Sequence, residues 1–147
     1  MEFKLVPMNK NHIQDILEIS KLSFHTPWSK ESFINELNNT FAHYVVATVD
    51  NKPIGYGGMW IIIDEGHITN IAIHPNFRGQ RLGTKILEEM INVCKGKNAQ
   101  AMTLEVRKSN LVAQKLYSSF GFKEEGIRKQ YYEDNKEDCI IMWNRDI

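Results

Sequence analysis

A basic turn containing two glycines lies between an apolar run and a helical pattern in the middle of the chain. The run Ile71–Ile73 precedes Arg78–Thr84 (R-G-Q-R-L-G-T), where the helical pattern begins. The first backbone amides of a helix have no intrahelical acceptor and carry the positive end of the helix dipole, so this turn favours a phosphate group. Gly79 and Gly83 permit close approach of a ligand to the backbone. The alternative is that Gly79 only makes the turn and that the two arginines are solvated.

A single carboxylate interrupts an apolar run further along the chain. In Ala101–Arg107 (A-M-T-L-E-V-R), Glu105 points to the opposite face of a strand from Leu104 and Val106. A carboxylate in a cleft can accept a proton, directly or through a water molecule, which is general-base chemistry. The alternative is a solvated carboxylate, or one ion-paired with Arg107 on the same face.

Asn110 and Tyr117 bracket two turns of the next helical pattern. Because they are seven residues apart, they lie on one face of that helix. A phenol placed there can donate a proton to a leaving group, whereas the alternative is a core aromatic beside Leu116 and Phe120. Asn110 also has the type and place of a helix N-cap.

Composition excludes several classes of function. The 147 residues carry 18 Lys+Arg and 18 Asp+Glu, giving a formal net charge of zero, so nucleic-acid binding is not indicated. Short apolar runs and an N-terminus without signal-peptide features predict a soluble, cytoplasmic protein with no membrane partner. Cys94 and Cys139 lie in apolar surroundings typical of reduced core thiols, and the five histidines lack metal-ligand spacing, so we expect no metal.

The period of the apolar residues predicts the elements that hold these groups. Helical periodicity begins at Asn11, at Ser29 as an N-cap, at Leu82 and at Leu111, with ends near Gly96 and Gly121 for the last two. Strand patterns cover 3–8, 44–49, 54–63, 67–74, 101–106, 122–126 and 138–144. The order predicts a single α+β domain, residues 1–147, with an antiparallel meander followed by a β-α-β arrangement.

Two blocks of the sequence resemble a known family. R-G-Q-R-L-G at Arg78–Gly83 resembles the acetyl-CoA motif Gln/Arg-x-x-Gly-x-Gly/Ala of the GCN5-related N-acetyltransferases (GNAT), with Arg81 where the motif has glycine. L-E-V-R-x-S-N-x-x-A-x-x-L-Y-x-x-x-G-F at Leu104–Phe122, together with Pro27–Ser29 and the ending Glu137–Met142, resembles the RimI-type ribosomal-protein-alanine N-acetyltransferases. The resemblance covers nearly the whole chain.

The resemblance implies a fold and an activity. The fold is a mixed, mostly antiparallel sheet of six to seven strands with about four flanking helices and splayed central strands. The activity is direct transfer of acetyl from acetyl-CoA, without a metal, to a protein α-amine, namely the N-terminal alanine of a small-subunit ribosomal protein. Lysine side chains, small amines or a non-catalytic acetyl-CoA-binding module are the alternatives. A monomer or weak dimer without nucleic-acid partners is expected.

The resemblance also assigns roles to residues. Glu105 becomes the general base and Tyr117 the general acid. The residues assigned to acetyl-CoA are Ile71, Ala72, Ile73, Arg78, Gly79, Gln80, Arg81, Leu82, Gly83, Thr84, Asn110 and Tyr117. Main-chain groups of 71–73 would pair with the pantetheine arm like an added strand. The aromatics Trp28, Tyr131 and Tyr132 lie near the acceptor peptide or pack in the core. The last quarter is acidic, which suits a basic peptide or reflects surface solvation; its acidic residues are Glu124, Glu125, Glu133, Asp134, Glu137 and Asp138.

Overall fold

The computed structural model describes residues 2–147, which form seven strands and four α-helices around one sheet. The strands are β1 (Lys4–Pro7), β2 (Ala42–Val49), β3 (Lys52–Ile62), β4 (Glu65–Ile73), β5 (Ala101–Arg107), β6 (Lys123–Arg128) and β7 (Cys139–Asn144). The helices are α1 (Ile13–Ser23), α2 (Lys30–Leu37), α3 (Leu82–Gly96) and α4 (Leu111–Ser119), with 3-10 turns at Lys10–His12 and Pro75–Phe77. The α+β class, strand number and helix number agree with the prediction.

The sheet has the order β1-β2-β3-β4-β5-β7-β6. Every neighbouring pair is antiparallel except β4 and β5, which run parallel. That parallel pairing covers Glu65–Ile68 against Ala101–Leu104 and then stops, although both strands continue. The central strands therefore splay apart, as the resemblance predicted.

Helices cover both faces of the sheet, so alternate residues of the central strands enter different cores. Val45 and Ala47 of β2 belong to the core beneath α3, whereas Tyr44 and Val46 belong to the core beneath α1 and α2. This alternation follows from the two-residue period of a strand. Burial on both faces fixes the register of β2 against its neighbours.

α3 carries the clearest amphipathic stripe of the four helices. Its buried residues are Leu82, Ile86, Leu87, Met90 and Cys94. The helix ends at Gly96, as expected. It packs so closely on β3 that a Cβ added at Gly57 would lie 2.7 Å from the Cγ2 atom of Ile86. This close approach sets the height of α3, and hence of its N-terminus, above the sheet.

α2 is tied to the sheet by a buried carboxylate that the sequence pattern did not predict. Ser29 caps α2 as expected, since its Oγ accepts from the Ser32 amide at 3.1 Å. Glu36 is buried and accepts from Tyr44 Oη at 2.8 Å and from Trp60 Nε1 at 2.8 Å. A buried carboxylate needs such donors. The arrangement holds α2, and the segment before it, against β2 and β3.

Candidate active site

A cleft opens where β4 and β5 stop pairing. Beyond Ile68, β4 stays paired with β3 through Ile73, but no strand within residues 2–147 pairs with its opposite edge. The cleft on this side has a volume of about 780 Å³. It is lined by nearly all of the residues that the resemblance assigned to acetyl-CoA, namely Ile71, Ala72, Ile73, Arg78, Gly79, Arg81, Leu82, Gly83, Thr84, Asn110 and Tyr117. Gln80 does not line it.

The turn before α3 presents backbone amides to this cleft. Gly79 has φ +80°, and a Cβ there would meet nothing within 4 Å, so its conformation rather than crowding requires glycine. Arg81 is the N-cap of α3 and makes no side-chain capping bond. The amides of the first helical turn, beginning at Leu82, therefore have neither an intrahelical acceptor nor a capping side chain. Such donors favour an anion.

Arg81 occupies the slot where the resembling motif has glycine, and its backbone explains that preference. Its φ of 62° and ψ of 23° lie in the left-handed region, which glycine adopts without strain. The arginine therefore keeps the shape of the turn while carrying a positive side chain at the edge of the cleft.

Arg78 is not simply solvated, as one alternative had it. Its Nε donates to the Ile73 carbonyl at 3.2 Å, and its Nη2 lies 3.4 Å from Ser23 Oγ. The side chain therefore joins the turn to the end of β4 and to the C-terminal end of α1. Arg78 therefore lines the cleft and also holds together the elements that border it.

Asn110 and Tyr117 both line the cleft from α4, as their spacing predicted. Asn110 also caps the helix, since its Oδ1 accepts from the Ala113 amide at 3.1 Å. Tyr117 is the buried residue of α4 and packs with its ring centroid 5.8 Å from that of Phe122. It is thus both a core aromatic and a cleft residue. Burial raises the pKa of Tyr117 to about 12, so this phenol keeps its proton at neutral pH.

Glu105 follows the last β5 residue that pairs with β4, so it lies where the strands part. Its side chain is exposed, while Leu104 and Val106 are buried, as predicted. Glu105 Oε2 lies 3.1 Å from Arg128 Nε, and Tyr131 Oη donates to its Oε1 at 3.2 Å. The sequence had suggested Arg107 as the ionic partner. That suggestion was wrong, because β6 returns beside β7 and brings Arg128 to this carboxylate from a distant part of the chain.

The three predicted acceptor-side aromatics occupy different surroundings. Tyr131 is 44% exposed and contacts Glu105. Tyr132 lies beside it, with ring centroids 5.2 Å apart in an edge-to-face arrangement. Trp28 instead packs on Phe33 at 5.6 Å, against the core beneath α1 and α2. Packing therefore accounts for Trp28, whereas Tyr131 stands at the candidate base.

Several cleft residues were missed by the sequence reasoning. They are Ser23, Phe24, Phe77, Val112, Ala113, Lys115, Leu116 and Ser119. Ala113 lies three residues after Asn110 and four before Tyr117, so helical spacing would have found it. The other α4 residues do not stand at three- or four-residue spacing from Asn110 or Tyr117. Ser23 and Phe24 lie at the end of α1, far away in sequence, and no local pattern identifies them.

The part of the chain that the structure describes contains neither an exposed cysteine nor a cluster of metal-ligating side chains. Cys94 and Cys139 are free and buried, and burial raises the pKa of the Cys94 thiol to about 11. Among residues 2–147, no group of three histidine, cysteine, aspartate or glutamate side chains is placed to hold a metal ion. Over the same range, every helix is too short or too polar to cross a bilayer.

Comparison with known proteins places the fold and the cleft in context. The model of the acetyltransferase (GNAT) family matches residues 13–122. A protein of Bacillus subtilis (strain 168), named "Putative ribosomal protein bS18-alanine N-acetyltransferase", is 48% identical over 137 residues, which are 92% of this chain and 91% of that protein.

Solved structures agree with this match. The ribosomal-protein-S18-alanine N-acetyltransferase of Escherichia coli superposes with a TM-score of 0.91 at 28% identity, over 99% of this chain and 96% of that one. The PaiA N-acetyltransferase of Thermoplasma acidophilum, solved in complex with coenzyme A, has the same fold, with a TM-score of 0.81 at 19% identity over 99% of each chain.

Proposed function

The chain belongs to the GNAT family of acetyltransferases, and from this premise we propose that it acetylates the N-terminal alanine of a small-subunit ribosomal protein. Acetyl-CoA is the proposed acetyl donor, and residues 1–147 act as a single acetyltransferase domain. The observation that carries the proposal is the parting of β4 and β5 immediately before Glu105. It opens the cleft that Tyr117 and the turn before α3 line.

The donors around the cleft fit the chemistry of coenzyme A. The first-turn amides of α3 and the Arg81 side chain suit a pyrophosphate. The free edge of β4 at Ile71–Ile73 suits the amides of a pantetheine arm, which pair with a strand edge as another strand would. Asn110 uses Oδ1 for the helix cap, which leaves its amide nitrogen for the ligand. Acetyl-CoA supplies an acetyl group activated as a thioester.

Glu105 and Tyr117 divide the proton transfers in this proposal. Glu105 accepts a proton from the attacking amine, directly or through a water molecule. Tyr117 donates a proton to the departing thiolate, whose ordinary thiol pKa near 8.5 requires only modest help. Attack on the thioester is direct, since neither buried cysteine has an activating partner among the described side chains.

An α-amine suits this site better than a lysine side chain on physical grounds. With a pKa near 8, about a tenth of an α-amine is neutral at pH 7, compared with about one lysine in 2,500. An exposed carboxylate held by Arg128 and Tyr131 suffices for the easier acceptor. Alanine of bS18 is proposed because the similar proteins from B. subtilis and E. coli carry that substrate in their names.

The test is mass spectrometry of a peptide that begins Ala-Arg and contains one internal lysine, after incubation with the protein and acetyl-CoA. We expect one acetyl group, located by fragmentation on the alanine α-amine. Acetyl on the lysine would overturn the proposed acceptor. Binding of acetyl-CoA without any transfer would identify a non-catalytic module instead.

Glu105→Gln tests the general base in the same assay. Loss of proton acceptance should lower kcat by about 10²–10⁴-fold while the acetyl-CoA Kd stays unchanged. Glu88→Gln, on the exposed face of α3, is the matched control and should retain full activity. A Glu105→Gln enzyme as fast as Glu88→Gln would remove Glu105 from the mechanism.

A further inference from the structure

The connection between β6 and β7, residues 129–138, bends back over the C-terminal end of β5. It carries both acceptor-side tyrosines, Tyr131 and Tyr132. Two backbone bonds close it on itself: the Tyr132 amide donates to the Glu137 carbonyl at 3.2 Å, and the Lys136 amide donates to the Tyr132 carbonyl at 2.8 Å. These bonds fix the shape of the connection. One backbone bond, from the Lys108 amide to the Asp138 carbonyl at 3.1 Å, ties its last residue to the end of β5, and the rest of its attachment to β5 is made by side chains.

Arg107, the last residue of β5, supplies that attachment. Its guanidinium donates to both oxygens of Asp134, at 3.1 and 3.0 Å, and to Asn135 Oδ1 at 3.3 Å. Glu137 is a third accepting residue, through Oε1 at 3.4 Å. The Arg107 side chain is 23% exposed. A two-pronged pair of this kind is oriented more strictly than a lysine contact, because the guanidinium fork matches the carboxylate.

A chain of contacts through two tyrosine rings connects the same guanidinium to the candidate base Glu105. It lies 4.0 Å from the centroid of the Tyr132 ring. Tyr132 contacts Tyr131 edge to face at 5.2 Å, and Tyr131 Oη donates to Glu105. The placement of the acceptor-side tyrosines therefore depends on where Arg107 holds the connection.

Arg107 and Glu137 also hold the turn before α4. Glu137 Oε2 accepts from the Ser109 amide at 2.6 Å, while its other oxygen contacts Arg107. The Arg107 carbonyl accepts from the Asn110 amide and from Gln114 Nε2, each at 3.0 Å. Asn110 caps α4 and lines the cleft. One junction thus supports both the acceptor side and the cofactor side.

We propose that Arg107 is a positioning residue that sets residues 129–138 relative to the turn at 108–110. It thereby places the acceptor-side tyrosines in register with Asn110 and α4. The inference deepens the proposed function and rests on it for the two sides of the site. We expect Arg107 to fix the position of these segments rather than to raise the free energy of unfolding, because partly exposed ion pairs contribute little to global stability.

The molecule contains its own control for this chemistry. Arg145 donates to Glu125 at 2.8 and 3.0 Å and stacks on Trp143 at 4.2 Å. That pair follows β7 at the opposite end of the β5–β7 ladder from Arg107, since Asn144 pairs with Met102 and Cys139 with Arg107. Arg145→Gln therefore removes the same kind of interaction away from the candidate site.

Steady-state kinetics form the first measurement. Arg107→Gln should raise the KM for the Ala-Arg peptide at least about tenfold, because small misplacements of substrate-positioning groups are costly. Arg107→Lys keeps the charge but loses the fork, so it should restore only part of the effect. Arg145→Gln should leave KM unchanged. A KM for Arg107→Gln within about twofold of that for Arg145→Gln would overturn the proposal.

Hydrogen exchange forms the second measurement and needs no turnover. Arg107→Gln should speed exchange of amides in both 108–110 and 129–138, and leave α1 and β1–β3 unchanged. Unchanged exchange in either segment overturns the proposal. If the wild type acetylates no peptide, the proposed function fails, while the exchange result still decides whether Arg107 joins the two segments.

Discussion

At the scale of single residues, the candidate acid and the candidate base differ in their exposure to solvent. Tyr117 is buried, and burial favours its neutral form. Glu105 is exposed, and each of its carboxylate oxygens has a donor, Arg128 Nε on one and Tyr131 Oη on the other. The candidate proton donor is therefore buried and the candidate proton acceptor is exposed.

Tyr117→Phe should therefore lower turnover more than it lowers cofactor affinity. We expect kcat to fall about 10²-fold, the low end for a lost general acid, because a thiolate leaves readily. Burial raises the pKa of Tyr117 to about 12, so wild-type kcat should not decline between pH 8 and 10 through loss of this proton. The control is Tyr56→Phe, a buried tyrosine in the other core. Equal kcat for the two variants would exclude Tyr117 as the acid.

Arg81 permits strain and charge to be separated at one position. Arg81→Gly removes the strain of a left-handed backbone, which costs a non-glycine residue about 1 kcal/mol. Glycine also loses more conformational entropy on folding, which costs about 0.5–1 kcal/mol and offsets that gain. The unfolding free energy should therefore stay equal or rise slightly. Arg81→Ala removes the same charge and keeps the strain, so it serves as the control.

Both Arg81 variants should weaken acetyl-CoA binding about fivefold at low salt, measured by calorimetry, since an exposed ion pair is worth about 1 kcal/mol. The difference from wild type should shrink as salt rises. Unchanged affinity in both variants would show that the Arg81 side chain does not contact the cofactor.

At the scale of elements, α3 transmits core packing to the turn that precedes it. Its buried stripe rests on β3, and its N-terminus lines the cleft. Anything that lifts α3 from the sheet also moves the first-turn amides relative to the free edge of β4. Affinity for the cofactor should therefore respond to substitutions beneath α3.

Gly57→Ala is the direct test of this coupling. The added Cβ would lie 2.7 Å from Ile86 Cγ2 and also crowd Met90. Overpacking of this kind should lower the unfolding free energy by about 1–3 kcal/mol, measured in urea, and weaken acetyl-CoA binding. Gly96→Ala, at the open C-terminal end of α3, has no neighbour within 4 Å and should do neither. Normal cofactor affinity in a destabilised Gly57→Ala protein would contradict the coupling.

Features that depend on residues near one another in sequence could be predicted, whereas features that depend on residues far apart in sequence could not. The α3 stripe and the Ser29 and Asn110 caps are local, so periodicity and residue type located them. Arg107, one alternative that the sequence offered as the ionic partner of Glu105, is not that partner, because Arg128 arrives on a strand that returns late in the chain. The exclusion of Gln80 from the cleft depends on the course of one turn, which spacing alone does not define.

Strand ends illustrate the same limit. β3 begins at Lys52, two residues before the predicted start, because Asp50 and Asn51 adopt left-handed φ values of 50° and 66°. A tight turn of this kind lets Lys52 and Pro53 join the ladder with β2. The apolar and β-branched pattern does not extend to Lys52 and Pro53, so it predicted a shorter strand.

At the scale of the whole molecule, the two cores on opposite faces of the sheet both contain weak acids that the fold keeps neutral. Burial raises the pKa of Tyr56 to about 12 in the core beneath α1 and α2, and of Cys94 to about 11 in the core beneath α3. Burial also raises the pKa values of Tyr44 and Tyr132. Folding therefore requires protonated side chains in several places at once.

Stability should fall steeply in alkaline solution as a result. A raised folded-state pKa gives a contribution that is complete below the unfolded value, about 8.5 for cysteine and 10 for tyrosine, and is lost as pH rises toward the folded value. With folded values of about 11 for Cys94 and about 12 for Tyr56 and Tyr117, the loss should develop between about pH 9 and 12. Urea midpoints measured by circular dichroism across this range provide the test, and constant midpoints up to pH 11 would contradict it.

Tyr56→Phe isolates one of these contributions. The Tyr56 hydroxyl is buried beside the Ser20 hydroxyl and makes no hydrogen bond of normal geometry among residues 2–147, so its removal should leave the unfolding free energy at pH 7 equal or higher. The variant should also release one proton fewer on unfolding at alkaline pH, because the unfolded chain lacks that phenol. Its unfolding free energy should therefore fall less steeply as the pH rises. Tyr131→Phe, at a position that is 44% exposed, is the control and should change the slope less. An unchanged slope in Tyr56→Phe would mean that the buried phenol does not drive alkaline unfolding.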